Sequence, residues 1–237
     1  MQLILPPRFS FAEFKRVTPV DASNVMELVV DRNAHRFTVK RPAALFDNLG
    51  KIFDATFRIA NQVGFASMSL RDLCRETGLS MGGLYGYLES KDDLAVMIED
   101  VIRYLGAAIP DWFTAQASAA ERLDATLRGH IFLSELLLPW FYFVFMESKT
   151  LSTSQKTIAK SSELALQEAL SQLVLETGVS DAEQAALTAS HLIALVQDWH
   201  VKRWKYRQQK ITVDRFADSV SAFALMCSSS AKKPHRR

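Results

Sequence analysis

The sequence predicts an all-α protein, and three observations support this prediction. Glycine and proline together supply only 16 of the 237 residues, so few positions interrupt a helix. From Leu45 onward, apolar residues recur at steps of three and four, which is the period of a helix with one buried face. A serine followed three positions later by an acid, as in Ser69 and Asp72, is the capping box that starts a helix.

Residues 1–44 are predicted to form an N-terminal arm or appendage. Two strand-like runs, Met26–Val30 and Arg36–Lys40, allow a small hairpin, although two strands alone are only marginally stable in water. The proline after Arg41 disfavours helix at that residue and closes the segment. The cations nearest the following helix are Arg32, Arg36, Lys40 and Arg41.

Residues 45–106 are predicted to hold four helices. These helices run from Leu45 to Gly64, from Ser69 to Gly78, from Ser80 to Leu88 and from Ser90 toward Leu105. A serine at the start of each of the last three accepts backbone N–H groups, and a glycine ends each of the first two. Two short helices joined by a tight turn that contains glycine indicate a helix-turn-helix unit.

The segment SLRDLCRETGLSMGGLYGYLESKDDL, which begins at Ser69, resembles the signature of TetR/AcrR transcriptional regulators. That family combines a capped helix, a Gly-apolar-Ser turn, a recognition helix with Leu-Tyr-x-Tyr-Phe, and a Ser-Lys-acidic-acidic-Leu helix start. The resemblance extends from Ile52 to Val101. It implies an N-terminal helix-turn-helix unit of three helices joined to a helical domain that binds an effector and dimerises.

The resemblance also implies a set of residues that contact phosphates or base edges of double-stranded operator DNA. The predicted DNA-binding residues are Ser69, Arg71, Ser80, Met81, Gly82, Gly83, Tyr85, Tyr87 and Lys91. Family members often carry a polar or basic residue at the position of Gly86. Because glycines replace long side chains here, base readout is expected to depend on Met81, close backbone approach and DNA shape.

Charge leaves two alternatives open. Residues 45–106 carry six Lys/Arg against nine Asp/Glu, an acidic balance that does not favour phosphate binding. The alternative to DNA binding is therefore a helical module that binds a protein partner without direct DNA recognition. The basic arm is expected either to reach an adjacent DNA groove or to form a disordered or self-packed extension.

Residues 107–227 are predicted to form the helical effector-binding and dimerisation domain, and residues 228–237 a basic tail. Helices are expected to begin at Pro110, at Leu123 with an interruption at Pro139, at Asp181 as far as about Tyr206, and at Val213 as far as about Met226. The resemblance implies that the last two helices form the interface of a homodimer.

The aromatic run Trp140–Phe145 in the predicted body suggests a small apolar effector. The candidate effector-binding residues are Trp140, Phe143, Met146, Trp199 and Arg203. The alternative is that these side chains fill the core or the dimer interface. By family habit, the protein is expected to be a repressor that the effector releases from a palindromic operator.

The sequence disfavours three other classes of protein: enzymes, metal-binding proteins and membrane-spanning proteins. The sequence has no Gly-rich phosphate loop and no nucleophile motif, and His130, His191 and His200 lack the spacing of metal ligands. We therefore predict no catalytic residue, no metal and no cofactor.

The apolar run Leu136–Met146 is shorter than the roughly 20 residues of a membrane span. A cytoplasmic protein with reduced cysteines is expected.

Overall fold

A computed structural model describes residues 2–3, 9–39, 41–116, 118–147 and 153–230. Over this part, the chain forms twelve α-helices and one 3-10 helix, with no strand, which confirms the all-α class. The helices are α1 (Phe11–Val17), α2 (Val25–Asn33), α3 (Pro42–Val63), α4 (Leu70–Thr77), α5 (Met81–Leu84), α6 (Asp92–Trp112), α7 (Ala119–Leu136), α8 (Leu138–Glu147), α9 (Thr153–Glu176), α10 (Ala182–Val201), α11 (Arg203–Gln208) and α12 (Val213–Ser230). Lys40 and residues 231–237 of the predicted basic tail lie outside the described residues.

The chain divides into two compact units, each assembled from separate stretches of sequence. The head unit comprises Val20–Tyr104 and Pro139–Ala159, and the body unit comprises Met1–Pro19, Leu105–Leu138 and Lys160–Arg237. The first 44 residues therefore contribute α1 to the body unit and α2 to the head unit.

The hairpin predicted for the N-terminal segment is wrong, because Met26–Val30 lies inside α2. A 3-10 helix, Ala34–Arg36, follows α2 directly. Val25, Val29 and Asn33 are buried at steps of four, and α2 packs against α3. Packing on α3 supplies the burial that two isolated strands lack, so the apolar residues of this segment form one face of a helix.

The predicted starts of the head helices are largely confirmed. Ser69 and Asp72 form both halves of a capping box at α4, and Gly78 ends α4 in the left-handed conformation with φ +74°. The helix that starts after Ser80 is shorter than predicted. It ends at Leu84, and the N–H of Gly86 then donates to the carbonyl of Gly83 in a tight turn.

Two helix ends of the body differ from the predictions. Helix α6 continues to Trp112 with Pro110 inside its last turn, where a missing N–H donor removes only one helical hydrogen bond. Asp181 accepts from the N–H of Gln184, which confirms the predicted cap of α10. Helix α10 ends at Val201, and α11 begins separately at Arg203.

The predicted interruption near Pro139 is present as a break between α7, which ends at Leu136, and α8, which begins at Leu138. Among the described residues, no single helix has the length and hydropathy that a membrane span requires. Helices α7 and α8 satisfy those criteria only when they are taken together across this break.

The body core is built around α7, which packs against α1, α10 and α12. Phe9 contacts the rings of Phe14, Phe113 and Phe132 edge to face, at centroid distances of 5.5–6.1 Å. The N–H of Phe11 donates to the carboxylate of Asp214 at 2.8 Å. Phe9 and Phe14 thus belong to the body core.

Glycine substitutions test this packing. A Cβ at Gly129 would lie 2.6 Å from Cε2 of the buried Phe113 ring, whereas a Cβ at Gly50 in α3 would meet nothing within 4 Å. We expect Gly129→Ala to lower the free energy of unfolding by about 1–3 kcal/mol through overpacking. Gly50→Ala should raise the free energy by about 1 kcal/mol through helix propensity.

Urea denaturation of both variants provides the measurement. Equal effects of the two substitutions would contradict the close approach of α7 to Phe113.

Candidate nucleic-acid interface

All nine predicted DNA-binding residues lie in the head unit, on α4, α5, the turn between them and the segment that leads into α6. The exposed members are Ser69, Arg71, Ser80, Gly82, Gly83 and Tyr85, and Met81 and Lys91 are half-buried. A Cβ at Gly82 would meet nothing within 4 Å. The backbone at Gly82 is therefore open to close approach by another molecule.

Arg71 is the cation of α4 that is available for a phosphate. Its side chain is exposed, and it has no carboxylate partner among the described residues. Arg75 on the same helix instead pairs with Asp72, and Arg58 of α3 pairs with Glu76.

The two capping serines differ in whether their hydroxyl groups can donate a hydrogen bond to another molecule. The Ser69 hydroxyl donates to Asp72 Oδ2 at 2.6 Å, and this bond is the main cause of the lowered pKa of Asp72. The Ser80 hydroxyl accepts from the N–H of Gly83 at 3.0 Å and has no acceptor for its own hydrogen among the described residues. Ser80 is thus a hydrogen-bond donor on the exposed face, whereas Ser69 mainly shapes the start of α4.

The two tyrosines after α5 have opposite environments. The Tyr85 side chain is 52% exposed, but Tyr87 is only 3% exposed. The Tyr87 hydroxyl accepts from Asn48 Nδ2 at 2.7 Å and donates to the Ala44 carbonyl at 3.4 Å. Tyr85 is free to turn its hydroxyl toward a ligand, while Tyr87 fastens the turn after α5 to the first turns of α3.

Lys91 is surrounded by carbonyl oxygens of the loop between α3 and α4. Its Nζ donates to the carbonyls of Phe65 at 3.1 Å, Ala66 at 2.6 Å and Met68 at 2.9 Å. An ammonium group has three N–H donors, and each of them has an acceptor here. Lys91 therefore fixes the loop that leads into Ser69, and a phosphate contact would require the exchange of one of these bonds.

Two arginines of the N-terminal arm are paired with acids of α6. Arg32 donates to both carboxylate oxygens of Asp100 at 2.5 and 2.8 Å, and Arg36 donates to Asp93 at 2.7 Å. The bonds from Arg32 are the main cause of the lowered pKa of Asp100. Sequence reasoning missed these pairs, although the acid excess of residues 45–106 next to a basic arm was the available signal.

The candidate effector residues fall in both units. In the head unit, Trp140 stacks on Phe53 of α3 with a centroid distance of 5.0 Å. Phe143 contacts Phe57 and Phe65, whereas Met146 is exposed. Helix α8 is thereby packed on α3 through its aromatic side chains.

In the body unit, Trp199 and Arg203 share one carboxylate. Trp199 Nε1 donates to Glu135 at 2.9 Å, and Arg203 donates to both Glu135 oxygens at 2.8 and 2.9 Å. The guanidinium of Arg203 also lies 4.6 Å from the centroid of the Trp199 ring. An acidic ligand at Arg203 would have to compete with Glu135.

The three histidines that lack the spacing of metal ligands also have different environments. His191 is exposed and His200 is buried, while Asp198 pairs with Lys202 and Lys205. His130 Nε2 is buried without a hydrogen-bond partner among the described residues. Burial, together with the nearby His200, lowers the pKa of His130 to about 4, and burial lowers the pKa of His200 to about 4.

Comparisons with known proteins identify a matching family model and structures of the same fold. Residues 52–98 match the family model of bacterial regulatory proteins of the tetR family. No curated protein matches the sequence. A tetR-family regulatory protein from Rhodococcus RHA1 is 16% identical with a TM-score of 0.66, over 76% of this chain and 96% of that chain.

Two further structures are similar over most of their length. AibR, in complex with isovaleryl coenzyme A and operator DNA, is 17% identical with a TM-score of 0.59, over 74% of this chain and 97% of that chain. The fatty acid degradation regulator FadR from Bacillus halodurans is 15% identical with a TM-score of 0.55, over 84% of this chain and 100% of that chain. At these identities, the likeness shows a shared fold.

The carbonyl contacts of Lys91 predict a stability effect that does not depend on DNA. Lys91→Met keeps the apolar stem but leaves part-buried carbonyls without a donor, so the free energy of unfolding should fall by about 1–2 kcal/mol. Lys51→Met is the matched control, because Lys51 makes an exposed pair with Asp47 worth about 0.5 kcal/mol or less. Similar losses in both variants, measured by urea denaturation, would show that the three carbonyl bonds contribute little.

The depressed pKa of His130 predicts a dependence of stability on pH. A histidine with a pKa near 4 in the folded state and 6.5 when unfolded stabilises the fold above pH 6.5, and this stability is lost as the pH falls toward 4. Between about pH 7 and about pH 5, the loss should be roughly 2 kcal/mol for His130. His130→Gln should reduce the slope of unfolding free energy against pH by about half, because His200 has the same lowered pKa and keeps its contribution. An unchanged slope would contradict the assignment to His130.

Proposed function

We propose that this chain, whose residues 52–98 match the model of the tetR family and whose fold is shared with tetR-family regulators, is a TetR-type repressor that binds a palindromic operator as a homodimer. Release from the operator is assigned to a small apolar effector. A protein that acts on genomic DNA in a bacterial cell works in the cytoplasm.

The observation that carries the DNA-binding role is the exposed face of α4 and α5. Arg71 offers a guanidinium that has no carboxylate partner in the described part of the chain, Ser80 and Tyr85 offer hydroxyl donors, and Gly82 leaves the backbone accessible. These groups suit phosphate contacts, which fix the register of a protein on a duplex. Met81 is the side chain on this face that suits an apolar contact with a base.

Exposed apolar residues of the body unit support the homodimer. Leu187 of α10 is 48% exposed, Trp204 of α11 is 68% exposed, and Phe223 of α12 is 38% exposed. Apolar side chains of this size in water favour a partner surface, and a two-fold dimer presents the same surface twice. Two recognition helices about 34–36 Å apart then enter successive major grooves.

The effector proposal rests on the aromatic packing between α8 and α3. A ligand with an apolar chain that contacts Trp140, Phe143 or Met146 would alter the support of α3 and thereby the head unit. The similar structure of AibR holds isovaleryl coenzyme A, and FadR is a fatty acid degradation regulator. An acyl compound is accordingly the first ligand class to screen, and Trp199 with Arg203 is a second place to look.

Selection of bound duplexes from a random DNA library tests the function. We expect a palindrome to be enriched, and Arg71→Gln to weaken its binding with a salt slope reduced by about 1, as for one lost phosphate contact. Arg58→Gln is the control, because Arg58 is already paired with Glu76.

No enrichment at low salt by a folded protein would favour the partner-binding module over direct DNA recognition. An Arg71→Gln salt slope equal to that of the control would remove Arg71 from the interface.

A further inference from the structure

The residues just before α3 lie against the turn that follows α5. The N–H of Thr38 donates to the Gly86 carbonyl at 3.1 Å. A Cβ built on Gly86 would lie 3.0 Å from Cγ2 of Val39, 3.2 Å from the carbonyl oxygen of Gly83 and 3.6 Å from Oγ1 of Thr38. The chain at Thr38 and Val39 thus occupies the space that a side chain at position 86 would need.

The same stretch is also fixed to the start of α6. Arg36 donates to Oδ1 of Asp93 at 2.7 Å, and Oδ2 of Asp93 accepts the N–H groups of Glu89 and Ser90 at 2.9 Å each. Residues 36–39 therefore contact both ends of the segment that joins α5, the predicted recognition helix, to α6.

Helix α5 needs support from outside itself. It has only four residues, of which Gly82 and Gly83 are two, and glycine costs about 1 kcal/mol relative to alanine in a helix. A helix of this length has no stability of its own, so its position depends on tertiary contacts.

We propose that residues 36–39, here termed the brace, set the position of the recognition helix and so belong functionally to the DNA-reading domain. The brace lies outside residues 52–98, which match the family model. Glycine at position 86, where the family often has a polar or basic residue, is the counterpart of the brace. The effect of the brace on operator affinity rests on the proposed function, whereas its contact with the turn after α5 does not.

Gly86→Ala and its combination with Val39→Ala test the brace. The added Cβ in Gly86→Ala must displace Val39, so hydrogen exchange of amides in residues 81–88 should accelerate several-fold in the absence of DNA. Operator affinity should fall about tenfold, as expected when a tight contact has to shift. Val39→Ala in the Gly86→Ala background removes Cγ2 and should recover most of both losses.

Gly50→Ala is the matched control, because its Cβ meets nothing within 4 Å, and it should leave exchange in residues 81–88 unchanged. The role proposed for the brace would be contradicted if Gly86→Ala left hydrogen exchange unaffected. It would also be contradicted if the double variant showed exchange as fast and operator binding as weak as Gly86→Ala alone. If Val39→Ala restores slow hydrogen exchange but no variant binds an operator, the role of the brace is supported and the DNA-binding function is rejected. The two failures are therefore distinguishable.

Discussion

The head unit depends on the pairing of two arm arginines with two aspartates of α6. The Arg32–Asp100 and Arg36–Asp93 side chains are each about one fifth to one third exposed, so neither pair is fully screened by water. Removal of one partner from such a pair leaves a partly buried charge without compensation, which costs more than the loss of a surface ion pair. These two contacts fix α2 and the 3-10 helix on α6. They also place the residues between Arg36 and α3 against the turn that follows α5.

The same pairing changes the electrostatics of the proposed DNA-binding face. Residues 45–106 carry an excess of acids that would repel phosphates, but Asp93 and Asp100 are neutralised by cations from the arm. Lys91 is held by backbone carbonyls, which leaves Arg71 as the cation on α4 that can meet a phosphate without first giving up a partner among the described residues. With so few cations, affinity has to come from hydroxyl donors, backbone approach and the shape of the duplex as well as from charge.

The sequence was sufficient for elements whose signals are local. The caps at Ser69, Ser80 and Asp181 lie within three residues of the N–H groups that they satisfy, and the apolar period of α3 needs only its own residues. The hairpin predicted in the arm is wrong because short apolar runs suit a strand or a helix equally, and packing on α3 decides between the two. The partners of Lys91 lie 23–26 residues away in the chain, and no local pattern indicates them. Pro110 did not end α6 because a proline in the last turn removes only one helical hydrogen bond.

The recognition helix combines two requirements that oppose each other. Glycines at positions 82 and 83 remove side chains, which allows the backbone of α5 to approach a duplex closely, but they also remove helix propensity. The protein meets the second requirement with contacts before, within and after the short helix: the Ser80 cap at its start, the buried Leu84 within it, and the Tyr87 and Gly86 contacts after it. Since α5 has little stability of its own, the proposed DNA-binding role depends on the residues that hold this helix as well as on its exposed residues. The specificity of such a helix then depends on how rigidly its surroundings fix it, because glycines contribute shape and no hydrogen-bonding side chains.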